Sequence, residues 1–525
     1  MSDKPKLNNQ AYTSIPQAHF AENHNLQPLD DDDSDNIQPF HADSDFEETD
    51  FHRNSNSHLR PTDQFDLESV NSLDYEVEVG GNGTTESVEN GRSSMRMAFM
   101  NMANSILGAG IIGQPFAFRN AGLVGGILVM IGLTFVIDWT LRLIVINSHL
   151  SQTRSYQDTV NYCYGTYGKI LLLFAISSFA YGGCMAFCVI IGDTIPHVLK
   201  AFIPKSVTSS DSVFGWLFKR NSIIVLFTTC ISYPLSLNRD ISKLAKASGF
   251  ALVGMLIIVV LTVARGPFVD PSLRSDLTAL EWTVNFNIFQ GISVISFALV
   301  CHHNTILIYQ SMKNATLSKF AKLTHISCGV SMVCCLVMGI SGLLNFGDAT
   351  KGNILNNFKS NDNWINVARF CFGLNMLTTF PLEIFVVRDV LKDIVLANSS
   401  DAQNGSTAHL ELSSKQHFVI TTVLVFSSMS VSLFTCNLGI ILELIGATSA
   451  SLMAYIIPPL CYFKLSWDQI DYKNAGKKDK RDFIIWKALP SISCVLFGFA
   501  VMFISSFMSI RTSLKDTEGG HCVED

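Results

Sequence analysis

The chain has 525 residues, of which 48% are hydrophobic and only 15% are charged, and its mean hydropathy is +0.29. These values are too apolar for a soluble protein of this length and favour a polytopic membrane protein. Residues 1–90 hold 20 Asp or Glu against 4 Lys or Arg, although the net charge of the whole chain is only −7. The rest of the chain is therefore basic, which suits short loops beside an anionic membrane surface.

The first 92 residues form an acidic tail rich in Asp, Ser, Asn and Gln. Such a composition buries too little apolar area to offset the entropy of ordering, so we expect a disordered cytosolic segment. It is either a solvated spacer or a regulatory or sorting segment with a cytosolic partner.

From residue 93 to 510 the apolar segments predict a transmembrane domain of about eleven helices, at roughly 20 residues per crossing. They lie near 97–118, 121–148, 169–196, 221–237, 244–264, 286–309, 321–345, 364–388, 417–436, 438–463 and 486–509, and the fourth is short. With the N-terminus in the cytosol, the cytosolic connections hold 18 Lys or Arg and the opposite side holds 11. This bias predicts a cytosolic N-terminus and a short lumenal or external tail over residues 511–525.

Most of the thirteen cysteines fall in or at the ends of apolar segments, and no CxxC spacing occurs. We interpret them as small packing residues rather than a disulfide framework. There is also no phosphate-binding loop and no nucleophile–base–orienter set. We therefore expect neither an enzyme nor a nucleic-acid-binding protein, and no cofactor.

The first predicted span is interrupted by Gly108, Gly110 and Gly113, with Pro115 just after them. Glycine and proline favour a helix break, and an opened membrane helix exposes backbone groups that need partners. The two ends of such a break attract a carboxylate and an ammonium or metal cation. Close helix packing by small residues is the structural alternative. The predicted substrate contacts are Asn104, Ser105, Gly108, Ala109 and Gly110.

The sixth span contains a second polar interruption, with Ser296 and Cys301 as predicted substrate contacts. His302 and His303 follow directly, and histidine titrates near physiological pH, so either is a candidate for proton coupling. A structural histidine bonded to a neighbouring group is the alternative for each. A metal site is not expected, because no third ligand accompanies the pair.

The eighth span combines Thr378 and Thr379 with a proline and Glu383. Hydroxyls and freed carbonyls form a hard-oxygen site that suits Na⁺. Glu383 is either a proton carrier or the partner of Arg369 or Arg388, and we favour the ion pair slightly.

Three other acids, Asp138, Asp193 and Glu443, lie in or near apolar segments. Intramembrane acids are functional candidates by default. Asp138 and Asp193 lie near predicted interfaces, where pairing is at least as good an explanation, whereas Glu443 lies deeper.

Two broken spans at matching positions, five spans apart, indicate an inverted repeat. The segments 101–115 and 375–383 resemble the first and eighth spans of the amino acid/auxin permease family. The segments 191–196, 296–304 and 443–448 are similar to its fungal vacuolar amino acid transporter branch, with the sodium-coupled neutral amino acid transporters as animal relatives.

The resemblance implies a five-plus-five inverted repeat with one extra helix, and secondary active transport of amino acids. It implies substrate contacts from Gly108 to Gly110, and a sodium site at Asn104 with Thr378 or Thr379. The fungal branch implies proton coupling instead, and Glu383 lies where this sequence departs from the sodium-coupled relatives.

We therefore expect a multi-pass transporter of amino acids, with neutral substrates favoured, driven by H⁺ or by Na⁺. The vacuolar membrane is the expected location, with the endoplasmic reticulum and plasma membrane as alternatives. The expected partners are an amino acid and membrane lipid. An amino acid sensor that signals through the N-terminal tail is the alternative function.

Overall fold

The computed structural model describes residues 93–204, 215–239, 248–397, 412–435, 437–469 and 476–516. The predicted acidic tail, and with it the proposed signalling role of that tail, lies outside these ranges. Within them the chain is helical, and extended backbone pairs at an isolated bridge between Ser93 and Met312. The prediction of an all-α polytopic membrane protein is confirmed.

Nine helical segments in the described ranges are long and apolar enough to cross a membrane. Numbered as predicted, they are span 2 (Leu123–Ser151), span 3 (Tyr156–Phe202), span 5 (Ala251–Phe268), span 6 (Ile288–Ser311), span 7 (Leu317–Ala349), span 8 (Asn363–Lys392), span 9 (Ser414–Phe434), span 10 (Leu438–Gln469) and span 11 (Lys477–Leu514). In spans 5, 7, 8 and 11 the main α-helix covers Ser248–Arg265, Leu317–Phe346, Asn363–Ala397 and Leu489–Asp516, respectively.

The two other predicted spans are present as shorter helical pieces. Span 1 consists of Met95–Leu107, a 3₁₀ turn over Ala109–Gly113, and Gln114–Ala121. Span 4 consists of Arg220–Phe227, a π turn over Thr228–Ser232, and Tyr233–Ser236. Each piece alone is too short to cross a bilayer, so only the assembled stretches correspond to the predicted spans.

The spans alternate in direction and so define two faces of the bundle. The proximal face is the one at which span 1 begins, and it carries the connections 152–155 and 312–316. The distal face carries the connections 266–287 and 347–362. By the Lys and Arg bias, the proximal face is predicted to be cytosolic.

The break in span 1 begins at Gly108, whose backbone (φ 9°, ψ −142°) is not helical. A Cβ on Gly110 would overlap Ala298 of span 6, so only glycine permits this approach of the two backbones. Pro115 sits in the first turn of the following helix, where its missing N–H costs nothing. The sequence therefore produces both a break and a close crossing at one point.

Span 6 is broken at the matching position. Its first helix, Ile288–Leu299, ends at Val300, and a 3₁₀ turn over His302–Asn304 leads into the helix Thr305–Ser311. Because span 6 runs from the distal to the proximal face and span 1 runs the other way, the two breaks have the antiparallel relation that an inverted repeat requires.

Solvent exposure differs between the two halves of the broken spans. In span 1 the partly exposed Asn101, Asn104, Ser105 and Gly108 recur at helical spacing, whereas residues 109–118 are all buried. In span 6 residues 290–302 are buried, and exposure resumes at His303. The partly exposed residues of span 1, together with His303, therefore form an accessible stripe that reaches the breaks from the proximal face. The distal halves of both spans are buried.

Candidate substrate and coupling site

The centre of the site is the crossing of the two breaks at Gly110 and Ala298. Asn304 Nδ2 donates to Ser105 Oγ over 3.2 Å and so joins the two breaks on their proximal side. The Gly108 N–H donates to Asn104 O, which ends the first helix of span 1. These contacts hold the two interrupted backbones together while leaving Gly108 partly exposed.

Asn104 provides a polar group that the protein itself does not satisfy. Its Oδ1 atom is buried and has no hydrogen-bond partner among the described residues. A buried unpaired oxygen costs free energy unless a ligand or water completes it. Asn104 lies on the accessible stripe one turn before the break, so its oxygen is available to a substrate ammonium or a cation.

Ser296 and Cys301 have no exposed surface. Ser296 Oγ donates to the Ile292 carbonyl and shares a second hydrogen bond of 2.8 Å with the Tyr455 hydroxyl. Their predicted contact with substrate stays a prediction, and in this conformation Ser296 holds span 10 rather than facing the accessible stripe.

The two adjacent histidines differ in their surroundings. The His302 Nε2 atom lies 2.9 Å from the Thr140 hydroxyl of span 2, and the side chain is fully buried. His303 is partly exposed, and neither of its ring nitrogens has a hydrogen-bond partner among the described residues. Its ring packs against Phe179 of span 3, with centroids 5.4 Å apart. The structural interpretation therefore suits His302, and His303 is the better candidate for proton transfer.

Span 8 contributes two threonines in different positions. Thr378 lies one turn beyond Leu374, which is 50% exposed on the outside of the bundle. Thr379 lies one turn beyond the buried Asn375 and donates to its carbonyl over 2.8 Å. Because a hydroxyl that donates its hydrogen keeps its lone pairs, Thr379 remains able to coordinate a cation.

The slight preference for a Glu383 ion pair was wrong. Arg369 donates to Asn366 and to the Leu355 and Phe358 carbonyls, and it makes no ion pair with Glu383. Arg388 instead donates to the Ser236 carbonyl and to Thr421. Backbone carbonyls at helix ends and loops accept hydrogen bonds from both guanidinium groups, which the sequence spacing of charges does not reveal.

Glu383 is left with a buried Oε2 atom that has no hydrogen-bond partner in the described part of the chain. Its Cγ packs over Gly183 of span 3, at 3.9 Å from the place that a Cβ would take. Phe179, which contacts His303, lies four residues earlier on span 3 and so on the same face, about 6 Å away along the helix. Glu383 of span 8 and His303 of span 6 therefore contact neighbouring turns on the same face of span 3.

The other intramembrane acids lie within pairing distance of protein groups. Asp138 pairs with Arg142 at 2.9 Å and with His325 at 3.0 Å. Asp193 pairs with Arg220 at 3.2 Å, and Asn356 donates to it at 3.0 Å. The pairing explanation for both acids is confirmed.

Glu443 accepts three hydrogen bonds of 2.8 to 3.0 Å, from Asn120 of span 1, Gln290 of span 6 and Ser509 of span 11. It thus fastens four spans on the distal side. Arg119 adds to this closure, because it donates to the Thr350 carbonyl over 2.8 Å.

Gln114 and Phe179 are residues of the site that were not predicted. Gln114 Nε2 donates to the Gly110 carbonyl over 2.9 Å and so occupies one group freed by the break. Phe179 and Phe297, 5.4 Å apart, form an aromatic wall beside His303. Gln114 could have been predicted from its position directly before Pro115 at the break. Nothing local in the sequence of span 3 indicates that Phe179 faces span 6.

A polytopic helical bundle with two broken helices that meet at its centre, reached from one face only, defines a secondary transporter of a small polar solute. Comparison with known proteins makes the class specific. The family described as "Transmembrane amino acid transporter protein" matches residues 91–511, and the chain belongs to this family.

Among its relatives, vacuolar amino acid transporter 2 of Saccharomyces cerevisiae is 50% identical over 433 residues, which are 82% of this chain and 86% of the relative. Putative sodium-coupled neutral amino acid transporter 11 of Danio rerio is 35% identical over 376 residues, 72% of this chain and 80% of the relative. Sodium-coupled neutral amino acid transporter 7 of Xenopus laevis is 27% identical over 430 residues, 81% and 90% of the two chains. The predicted family is confirmed.

Proposed function

We propose that this protein carries neutral amino acids across the vacuolar membrane by alternating access, driven by the proton gradient. The observation that carries the proposal is the crossing of the two breaks, where Gly110 meets Ala298 beneath a stripe accessible from one face. The vacuolar assignment rests on the yeast relative, and the neutral substrate class on the relatives named as neutral amino acid transporters.

The crossing suits the zwitterionic part of an amino acid. A helix that begins inside the bundle presents N–H groups to a carboxylate, and the preceding helix end presents carbonyls to an ammonium. Asn104 adds an unpaired oxygen on the carbonyl side. The aromatic pair of Phe179 and Phe297 offers an apolar surface, which favours an uncharged substrate side chain.

Proton coupling is assigned to Glu383 and His303. Both carry buried polar atoms without partners, and both side chains are partly exposed. An uncompensated charge in such a place is costly, so each group exchanges its proton when the cavity is hydrated or closed. Their neighbouring positions along span 3 provide the two steps of a proton path.

Sodium coupling is the second candidate, and one observation favours it. Asn104 Oδ1 is unpaired and Thr379 keeps oxygen lone pairs, which are hard ligands suited to Na⁺. Relatives with sodium coupling in their names share 27% to 35% of their aligned residues with this chain.

Flux of radiolabelled neutral amino acids in proteoliposomes, with an imposed pH gradient and with or without Na⁺, separates the two candidates. Uptake that follows the pH gradient and ignores Na⁺ supports proton coupling. Uptake that requires Na⁺, and that is lost in Asn104→Leu and Thr379→Val, overturns it in favour of the sodium site. Absence of flux for every amino acid tested would contradict transport itself.

A further inference from the structure

An open pocket lies on the distal face, between the end of span 5 with its following connection and the connection that leads into span 8. Its volume is about 550 Å³, and residues from 265–274 and from 358–362 line it. Neither Gly110 nor Ala298, which form the crossing of the two breaks, belongs to its lining. Pockets of roughly 300 to 1,000 Å³ are the usual size for small organic ligands, so this one holds more than a single inorganic ion.

Hydrogen bonds to backbone carbonyls fix both walls of the pocket. Arg274 donates to two carbonyls of its own connection, over 2.6 and 3.1 Å. On the other wall the buried Arg369 donates to the Phe358 carbonyl over 3.0 Å. Arg265 then joins the walls, because its Nη2 atom donates to Asp362 over 2.8 Å. The pocket is therefore shaped before a ligand arrives, which lowers the entropic cost of binding.

The charges that line the pocket do not cancel. Arg265 pairs with Asp362 at 2.8 Å, and Lys359 pairs with Asp270 at 2.5 Å. Arg274 is the fifth charged group of the lining, and it makes no ion pair within the described ranges. Its Nη1 group also makes no hydrogen bond there. Three cations against two carboxylates give the lining a net charge of +1, so the pocket favours an anion.

An exposed apolar face of span 5 leads from the membrane to this pocket. Val253, Ile257 and Val260 lie at helical spacing and are 53%, 38% and 63% exposed. Phe268, which is 72% exposed, continues this face at the distal end of the span and belongs to the lining of the pocket. The Arg265 guanidinium carbon lies 5.6 Å from the centre of the Phe268 ring. Cationic and apolar surfaces therefore meet at the depth of lipid headgroups.

We propose that this pocket binds the headgroup of one anionic phospholipid of the distal leaflet, with its acyl chains along the exposed face of span 5. The phosphate diester accepts hydrogen bonds from the unused Nη1 group of Arg274, since a guanidinium matches the geometry of a phosphate. One negative charge on the lipid balances the net charge of the lining. A free phosphate offers the same contacts to Arg274 but leaves Phe268 and the face of span 5 uncovered.

The test is native mass spectrometry of the full-length protein, purified in detergent, freed of lipid and titrated with phosphatidylglycerol. Phosphatidylcholine with the same acyl chains is the reference, because its headgroup carries no net charge. The wild type should bind one phosphatidylglycerol at least about tenfold more tightly than phosphatidylcholine, as expected for a charge-assisted hydrogen bond. Excess inorganic phosphate should not displace the lipid.

Two variants of the pocket and one control locate the site. Arg274→Gln removes the unbalanced charge and should weaken phosphatidylglycerol binding about tenfold. Because Arg274 also holds its own connection, Asn361→Asp provides a second variant that adds a negative charge to the lining and should weaken binding in the same way. Lys351→Gln removes a charge from the same face outside the lining and should bind as the wild type does. The Tm of each lipid-free variant establishes that it is folded.

Four results would overturn the proposal. Equal binding of the two lipids would exclude an anion site, and wild-type affinity in both folded pocket variants would exclude this pocket. Displacement of the lipid by inorganic phosphate would identify a soluble anion as the occupant. A dimer that forms without lipid and excludes phosphatidylglycerol would assign this face to a second copy of the chain. None of these results depends on transport, so the proposal is decided separately from the proposed function.

Discussion

The distal acids Asp193 and Glu443 differ from the polar residues of the candidate site in how their buried atoms are paired. In the distal half Asp193 and Glu443 each receive donors from other elements, and Arg119 caps carbonyls of the 347–362 connection. In the proximal half Asn104, His303 and Glu383 have buried atoms without partners. Since an unpaired buried polar atom costs free energy, the difference marks the two distal acids as part of a closed seal and the three proximal residues as part of a working site.

The crossing of spans 1 and 6 at Gly110 and Ala298 separates the two halves. Gly110→Ala should therefore reduce amino acid uptake more than any other change proposed below. The added Cβ overlaps Ala298 and forces spans 1 and 6 apart. Amino acid uptake should fall by at least about tenfold, because a small misplacement of binding groups is amplified in rate. Gly132→Ala is the matched control, since a Cβ there meets nothing within 4 Å. Wild-type uptake by a correctly inserted Gly110→Ala protein would contradict the crossing as the substrate site.

Glu383→Gln should break the coupling while retaining binding. The amide keeps the shape of the side chain but cannot exchange a proton, so accumulation driven by a pH gradient should be lost. Exchange of labelled for unlabelled amino acid across the membrane, which needs no net proton movement, should continue. Both activities are measured in the same proteoliposomes, and accumulation by the variant at the wild-type level would exclude Glu383 as the carrier.

Adjacent histidines allow a finer version of the same test. His303→Gln should slow pH-driven uptake several-fold, because both ring nitrogens of His303 are buried without a partner in a side chain that is partly exposed. His302→Gln should have the smaller effect, since a glutamine amide can still reach the Thr140 hydroxyl that His302 now contacts. The dependence of uptake on pH, recorded for both variants, distinguishes them. A larger effect at His302 would reverse the assignment.

The sequence alone predicts the two helix breaks better than it predicts the surroundings of the buried acids. The glycines at 108 and 110, the proline at 115 and the span-6 polar run locate both breaks, because backbone preferences are local. The packing of Glu383 against Gly183 and the hydrogen bond from Asn120 to Glu443 each join residues more than 100 positions apart. Charge spacing pointed Glu383 to Arg369 and Arg388, whose guanidinium groups instead donate to the carbonyls of Leu355 and Ser236.

Asp193→Asn tests the distal seal through stability. The change leaves the Arg220 charge without its carboxylate, although the Ser432 and Thr435 carbonyls still accept from Arg220. We expect a loss of about 1–3 kcal/mol, measured as a lower Tm of the purified protein in detergent. Glu383→Gln serves as the contrast and should leave the Tm unchanged or raise it, because Glu383 has no partner to lose. An equal fall in Tm for Asp193→Asn and Glu383→Gln would contradict the distinction between a stabilising distal acid and an unpaired acid of the candidate site.

The smallest effect is expected where a charge pair lies on the distal surface rather than inside it. Lys359 and Asp270 are 2.5 Å apart, with side chains 52% and 38% exposed. The hydrogen bond from Lys359, followed by those from Ser272, holds the pKa of Asp270 below its usual 3.8. Any stabilisation from the pair is therefore fully present above pH 3.8 and is lost only as the pH falls through the lowered pKa of Asp270. A mildly acidic lumen would therefore leave the pair charged. Because exposed pairs are screened by solvent, Lys359→Ala should leave the Tm unchanged within the scatter of replicate measurements. This result is expected from neutral pH down to mildly acidic pH. A clear drop in Tm would mean that surface pairing as well as burial holds the distal half closed.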